Sequence, residues 1–203
     1  MNKNLFLIAL IFLCAVFISC QNAANKTTNN NYTVDTSTTY ELQDGLQAYN
    51  GSVDTFTSID YPTFDFSTYQ YAYVSASSDV FLYFDTSMIP QDKTVSTCQL
   101  CMAVYETTAV NPVLNIYKIT SAWLPASVSY NSLPAVVYHS SITTTADYKM
   151  HCYDLQNLMA QGWITNPGSN NGIMLNTSGI KATIATSESA PAGSRPMLKI
   201  TVK

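Results

Sequence analysis

The chain has 203 residues, 9 Lys and Arg against 13 Asp and Glu, a formal charge of −4 at pH 7 and only 11% charged residues. With Arg195 as its single arginine it offers no basic stripe that could neutralise a row of phosphates, which excludes nucleic acid as a partner and weakens any case for a strongly anionic polysaccharide. Tyr, Thr, Ser and Val are abundant while Lys and Glu, the usual filling of exposed helices, are sparse, so the composition favours strands.

Lys3 gives the N-terminus a positive charge, and Leu5 to Ile18 form an apolar run that ends at Ser19 and Cys20, where the sequence turns polar. At about 1.5 Å per helical residue such a run falls short of the roughly 20 residues that cross a bilayer core. It predicts a cleaved signal peptide. Phe17-Ile18-Ser19-Cys20 resembles a bacterial lipobox, which implies that residues 1–19 are removed and that Cys20 is lipidated, tying the chain to a membrane of the cell envelope. Ordinary secretory cleavage is disfavoured because cuts after Ala24 or Ala23 would place Asn22 or Gln21 where a small residue is needed. Gln21 after the cysteine is compatible, by resemblance to enterobacterial lipoproteins, with the outer membrane or cell surface.

Residues 20–39 are Asn- and Thr-rich with almost no large apolar group, and read as a flexible tether. The remaining span, 40–203, is long enough for one domain with a proper core. It alternates short β-branched and aromatic runs with Gly, Pro, Asn and Asp about every ten residues, as all-β sandwiches do. Strands are expected over 41–49, 53–59, 69–76, 79–85, 94–106, 113–119, 149–153, 172–177, 181–187 and 196–202. Within 98–104, Cys98, Leu100, Met102 and Val104 share a face that should point inward. One helix is expected, capped by Asp154, striped by Leu155, Leu158 and Met159, and stopped by Gly162.

Three cysteines fall in the domain, Cys98, Cys101 and Cys152, so they cannot all pair within one chain. Cys98 and Cys101 are three apart in a strand, face opposite sides and should not bond to each other. Cys152 bonded to one of them, or all three as buried thiols, are the two alternatives. His139 and His151 are isolated and no zinc spacing exists.

Asp44, Asp54, Asp85, Asp147 and Asp154 supply carboxylates that a glycosidase would need in pairs, but Asp85 and Asp154 have simpler work as acceptors for turn and helix-end amides. Hydrolase arrangements of Ser and His are missing, and the reading is non-catalytic. Asp44, Gln47 and Asp54 cluster around a glycine-containing loop and are the candidates for a structural Ca2+, weighed against solvated loop acids. The segment holding Tyr61, Phe64, Phe66, Tyr69, Tyr71 and Tyr73 is unusually aromatic. A strand would set Tyr69, Tyr71 and Tyr73 on one face, where rings can stack on sugar C–H faces, while Phe64 and Phe66 are expected to be buried. Trp123, Tyr130 and Trp163 are expected in the core.

Five segments in order resemble the DNRLRE domain family, which includes the family 96 carbohydrate-binding modules. Leu42-Gln43-Asp44-Gly45 through Tyr49-Asn50-Gly51 to Asp54-Thr55-Phe56 is similar to its opening, and Tyr83 to Pro90 to its RFDLSSIP segment. Trp123 to Val128 with Tyr130-Asn131 and Pro134, then Asp154 to Met159 with Trp163 and Asn170 to Leu175, and finally Ser194 to Ile200 match its later segments. The resemblance implies a jelly-roll-type β-sandwich used for carbohydrate binding, or for structural or adhesive contact with protein or cell wall, without catalysis. Tyr83 and Pro125 replace an arginine and a glutamate of the family pattern, and Leu133 a polar residue, which removes charge from any inherited contact.

Overall fold

Apolar side chains alternating along 98–104 set the longest strand and, with it, the inner face of a sheet. The computed structural model describes residues 36–107, 111–189 and 191–203, of which 36–203 belong to one compact unit. The expected signal peptide, Cys20 and most of the expected tether lie outside the described residues. In chain order the strands are β1 (Thr38–Leu42), β2 (Ser52–Phe56), β3 (Tyr71–Val74), β4 (Val80–Phe84), β5 (Val95–Thr107), β6 (Val113–Ile119), β7 (Val136–Thr143) and β8 (Met150–Leu155). A helix, α1 (Asn157–Thr165), precedes β9 (Ile173–Asn176), β10 (Ala182–Ala185) and β11 (Met197–Val202).

Two antiparallel sheets form an all-β sandwich. One is ordered β1-β11-β5-β10-β3 with β8 also on β5, the other β2-β4-β9-β6-β7. The chain changes sheet at most connections, as in a jelly roll, so neighbours in sequence become facing layers. Cys98, Leu100, Met102 and Val104 all lie in the core with Leu82, Ile116, Ile173, Leu198 and Ile200. Gly172, at φ 79°, lets β9 approach β4, because a Cβ there would collide with the Leu82 carbonyl oxygen.

Several expectations shift. The strand predicted over 41–49 ends at Leu42, since Gly45, Gln47 and Ala48 take positive φ in a turn, while Thr38 and Thr39 leave the tether to pair with Val202 and Thr201. The strand β7 went unpredicted because its exposed Val137 and Tyr138 and half-buried Ser140 break simple alternation at an edge of the sheet. Asp154 does not cap the helix. It lies within β8 and accepts from Gln99 Nε2 (2.8 Å), so α1 starts three residues later, continues through Gly162, and buries Met159, Ala160, Trp163 and Ile164. Gln161 fastens α1 to the start of β5, accepting from Val95 N–H (2.8 Å) and donating to Lys93 O (3.1 Å).

Cys101 and Cys152 are register partners on β5 and β8 and form a disulfide, while Cys98 is a buried free thiol. Burial, reinforced by the negative charge of Asp154, pushes the Cys98 thiol up to about 12 and keeps it a poor nucleophile. The bond closes a span of 51 residues, for which chain entropy in the unfolded state gives a stabilisation of about 4 kcal/mol. Cys152→Ser is expected to lower Tm by roughly 10 °C in scanning calorimetry, with the wild type moving by the same amount on reduction.

Candidate functional site

The aromatic segment after β2 folds into a cleft of about 640 Å³ lined by aromatic rings, serine hydroxyls, Asp60 and Lys181. Its start is an extension of the β2–β4 pairing, with Thr57 N–H donating to Asp79 O (2.9 Å) and Ile59 N–H to Ser77 O (3.0 Å). Beyond it, turns at Ser58–Tyr61 and Tyr61–Phe64 reverse the chain, and Asp65 Oδ1 caps Ser67 N–H (2.9 Å).

Phe66 stacks on Phe56 with centroids 4.2 Å apart, and this buried pair is the floor. Tyr69 and Tyr73 meet Phe56 edge-on at 6.1 and 5.6 Å, and Phe64 leans on Phe66 at 4.8 Å. Each ring is fixed by another, yet Tyr61, Phe64, Tyr69 and Tyr73 remain between 39% and 63% exposed, so their outer surfaces stay open. Phe64 is therefore not buried as expected. The Phe56–Phe66 stack fills the space beneath it.

Lys181 Nζ lies 4.7 Å above the Tyr73 ring and brings a cation to the cleft. A turn after β10 holds the wall from behind: Thr186 Oγ1 and Ser189 Oγ donate to the carbonyls of Tyr69 and Gln70, and Arg195 Nε donates to Ser189 O (2.9 Å).

The three tyrosines separate. Tyr69 and Tyr73 join the cleft, whereas Tyr71, which shares the outward face of β3 with Tyr73, packs on Tyr105 (5.3 Å) in a row that continues to Tyr148 (5.5 Å). Tyr69 reaches the cleft because it precedes β3, where strand alternation no longer dictates its direction. Lys181 was not singled out from the sequence; nothing in its local pattern marks a residue that acts across strands.

Asp44, Gln47 and Asp54 have separate surroundings. Asp44 Oδ1 closes its own loop by accepting Ser52 N–H (2.9 Å), and Gln47 sits in the turn at φ 50°. Asp54 is only 4% exposed and accepts Ser187 N–H at 2.6 Å. Among the described residues no group of three or more His, Cys, Asp and Glu is placed to hold a metal ion. Asp85 caps a turn through Ser87 N–H (2.9 Å).

A smaller hollow of about 280 Å³ lies beside Trp123, between the 122–125 loop and the Val53–Tyr83 register pair of β2 and β4. Trp163 is a core residue, but Trp123 is only half-buried. Tyr83 and Pro125, two of the positions where the sequence loses charge relative to the motifs it resembles, both line this hollow.

Neither the scan against protein-family models nor the search of curated proteins found a match to this chain.

Burial and then the charge of Glu188 push the Asp54 carboxyl up to about 8, only partly offset by the Ser187 hydrogen bonds. A carboxyl raised above its unfolded value favours the fold while protonated, so this contribution is complete below about pH 4 and fades as pH rises toward about 8. Tm should fall by several degrees across that window, and Asp54→Asn, which keeps an acceptor for Ser187 without ionising, should flatten the fall in a calorimetric pH series.

Proposed function

We propose that this chain is a lipid-anchored protein of a bacterial cell envelope whose non-catalytic β-sandwich, of the DNRLRE type, binds carbohydrate in the aromatic cleft. The observation that carries this reading is the cleft, in which preset rings with open faces sit among the hydroxyls of Ser58, Ser75 and Ser77, Asp60 and the Lys181 ammonium. Sugar rings present apolar C–H faces and a rim of hydroxyls, and such a surface answers both. Among the described residues Asp60 is the one carboxylate lining the cleft, whereas glycoside cleavage by the usual route needs two, which supports binding over catalysis. The run ending at Cys20 supports the anchor, and the outer membrane or cell surface is the proposed location.

A second reading, a structural or adhesive module contacting protein or cell wall, is favoured by the Tyr71–Tyr105–Tyr148 row, which lies outside the cleft and leaves Tyr148 66% exposed.

A glycan array or polysaccharide pull-down with residues 36–203 separates the two. Tyr69→Ala and Tyr73→Ala should each weaken retention about tenfold, equivalent to about 1.4 kcal/mol, with Tyr71→Ala within about twofold of wild type. Loss through Tyr71→Ala alone would move the site to the tyrosine row, and release of reducing ends would make the protein an enzyme. For the anchor, cells fed a clickable fatty acid should label the full-length chain, and Cys20→Ser should abolish the label.

A further inference from the structure

We propose that the hollow beside Trp123 is a second sugar site, shaped for a single pyranose ring carrying an acetamido group. It is separate from the cleft and does not rest on the reading given to that site. At about 280 Å³ it lies just below the usual range of roughly 300–1,000 Å³ for small-molecule sites, so it has room for one ring rather than a chain.

The indole that would stack on the ring is already fixed. Trp123 Nε1 donates to Asn171 O at 2.7 Å, and its ring packs against buried Phe81 at 5.9 Å. Holding the platform before the ligand arrives spares the entropy of ordering it on binding.

The polar groups around that platform are unequal. Asn170 is fully engaged, with Nδ2 donating to Phe84 O (2.8 Å) and Thr86 Oγ1 (3.3 Å) and Oδ1 accepting Gly172 N–H (3.1 Å). Asn171, by contrast, uses its backbone carbonyl for the indole, and its side-chain amide makes no hydrogen bond among the described residues. That amide can donate to and accept from another amide at once.

The rest of the wall is Tyr83 and the aliphatic Val53, Ala122, Pro125 and Leu124, the last 70% exposed. Among the described residues no charged side chain lines the hollow. An acetamido substituent matches this pairing, with its amide against Asn171 and its methyl against the aliphatic wall. A plain hexose would turn hydroxyls toward the aliphatic part of that wall and lose their hydration there without return.

The chain's two tryptophans allow a direct test, because Trp163 is only 2% exposed and the Trp123 indole N–H cross-peak can be assigned with Trp123→Phe. N-acetylglucosamine, titrated into the 15N-labelled protein, should shift that cross-peak saturably in the millimolar range, while glucose leaves it in place. Asn171→Ala, which retains the backbone carbonyl holding the indole, should weaken the response about tenfold, and Tyr73→Ala should leave it unchanged. A cross-peak that stays still up to about 50 mM N-acetylglucosamine, well beyond the range expected for one ring, would overturn the proposal. So would equal movement with glucose, or an Asn171→Ala variant that responds like wild type. Because the Tyr73 variant reads only the cleft, failure of either site is seen independently of the other.

Discussion

The pairing of β5 is the constraint on which the rest of this domain depends. Its 13 residues hold β11 over Val95–Cys101, β8 over Cys98–Ala103 and β10 over Val104–Thr107, so three strands distant in sequence take their register from one. The inward side chains of β5 reach the facing sheet, and the Cys101–Cys152 bond prevents β8 from slipping against it. A shift of β5 by one residue would turn Cys98, Leu100, Met102 and Val104 out of the core, which makes the register steep in energy.

From that frame both candidate sites follow through β2. Alternation puts Asp54 and Phe56 on its inner side and Val53 on the other, so five residues supply the floor of the cleft, the carboxyl that grips the turn after β10, and one wall of the Trp123 hollow. The turn at 186–189 is bound to Asp54 at one point and to the carbonyls of Tyr69 and Gln70 at others, which couples the cleft wall to a buried ionisable group. In both places rings are held by other rings or by a backbone carbonyl, and this leaves them exposed without leaving them loose.

Much of this was legible in the residues. Composition and turn spacing implied a β-sandwich, alternation along 98–104 identified the inner face of β5, and the spacing of Cys98 and Cys101 ruled out a bond between them. What misled was local evidence with a tertiary competitor: Asp154 looks like a helix cap but is engaged by Gln99 across the sheet, and Phe64 looks like core until Phe66 occupies the place on Phe56.

By itself the sequence determined the class of fold, the course of most strands, the acidic and nearly arginine-free surface, and the aromatic richness of residues 61–73, because these depend on composition and on periods of two residues. Tertiary structure alone decided that Cys152 pairs with Cys101, that Tyr69 and Tyr73 converge while Tyr71 departs, and that Lys181 reaches the Tyr73 ring. Those outcomes turn on which distant strands lie side by side, and a linear pattern of side chains carries no distance across the sheet.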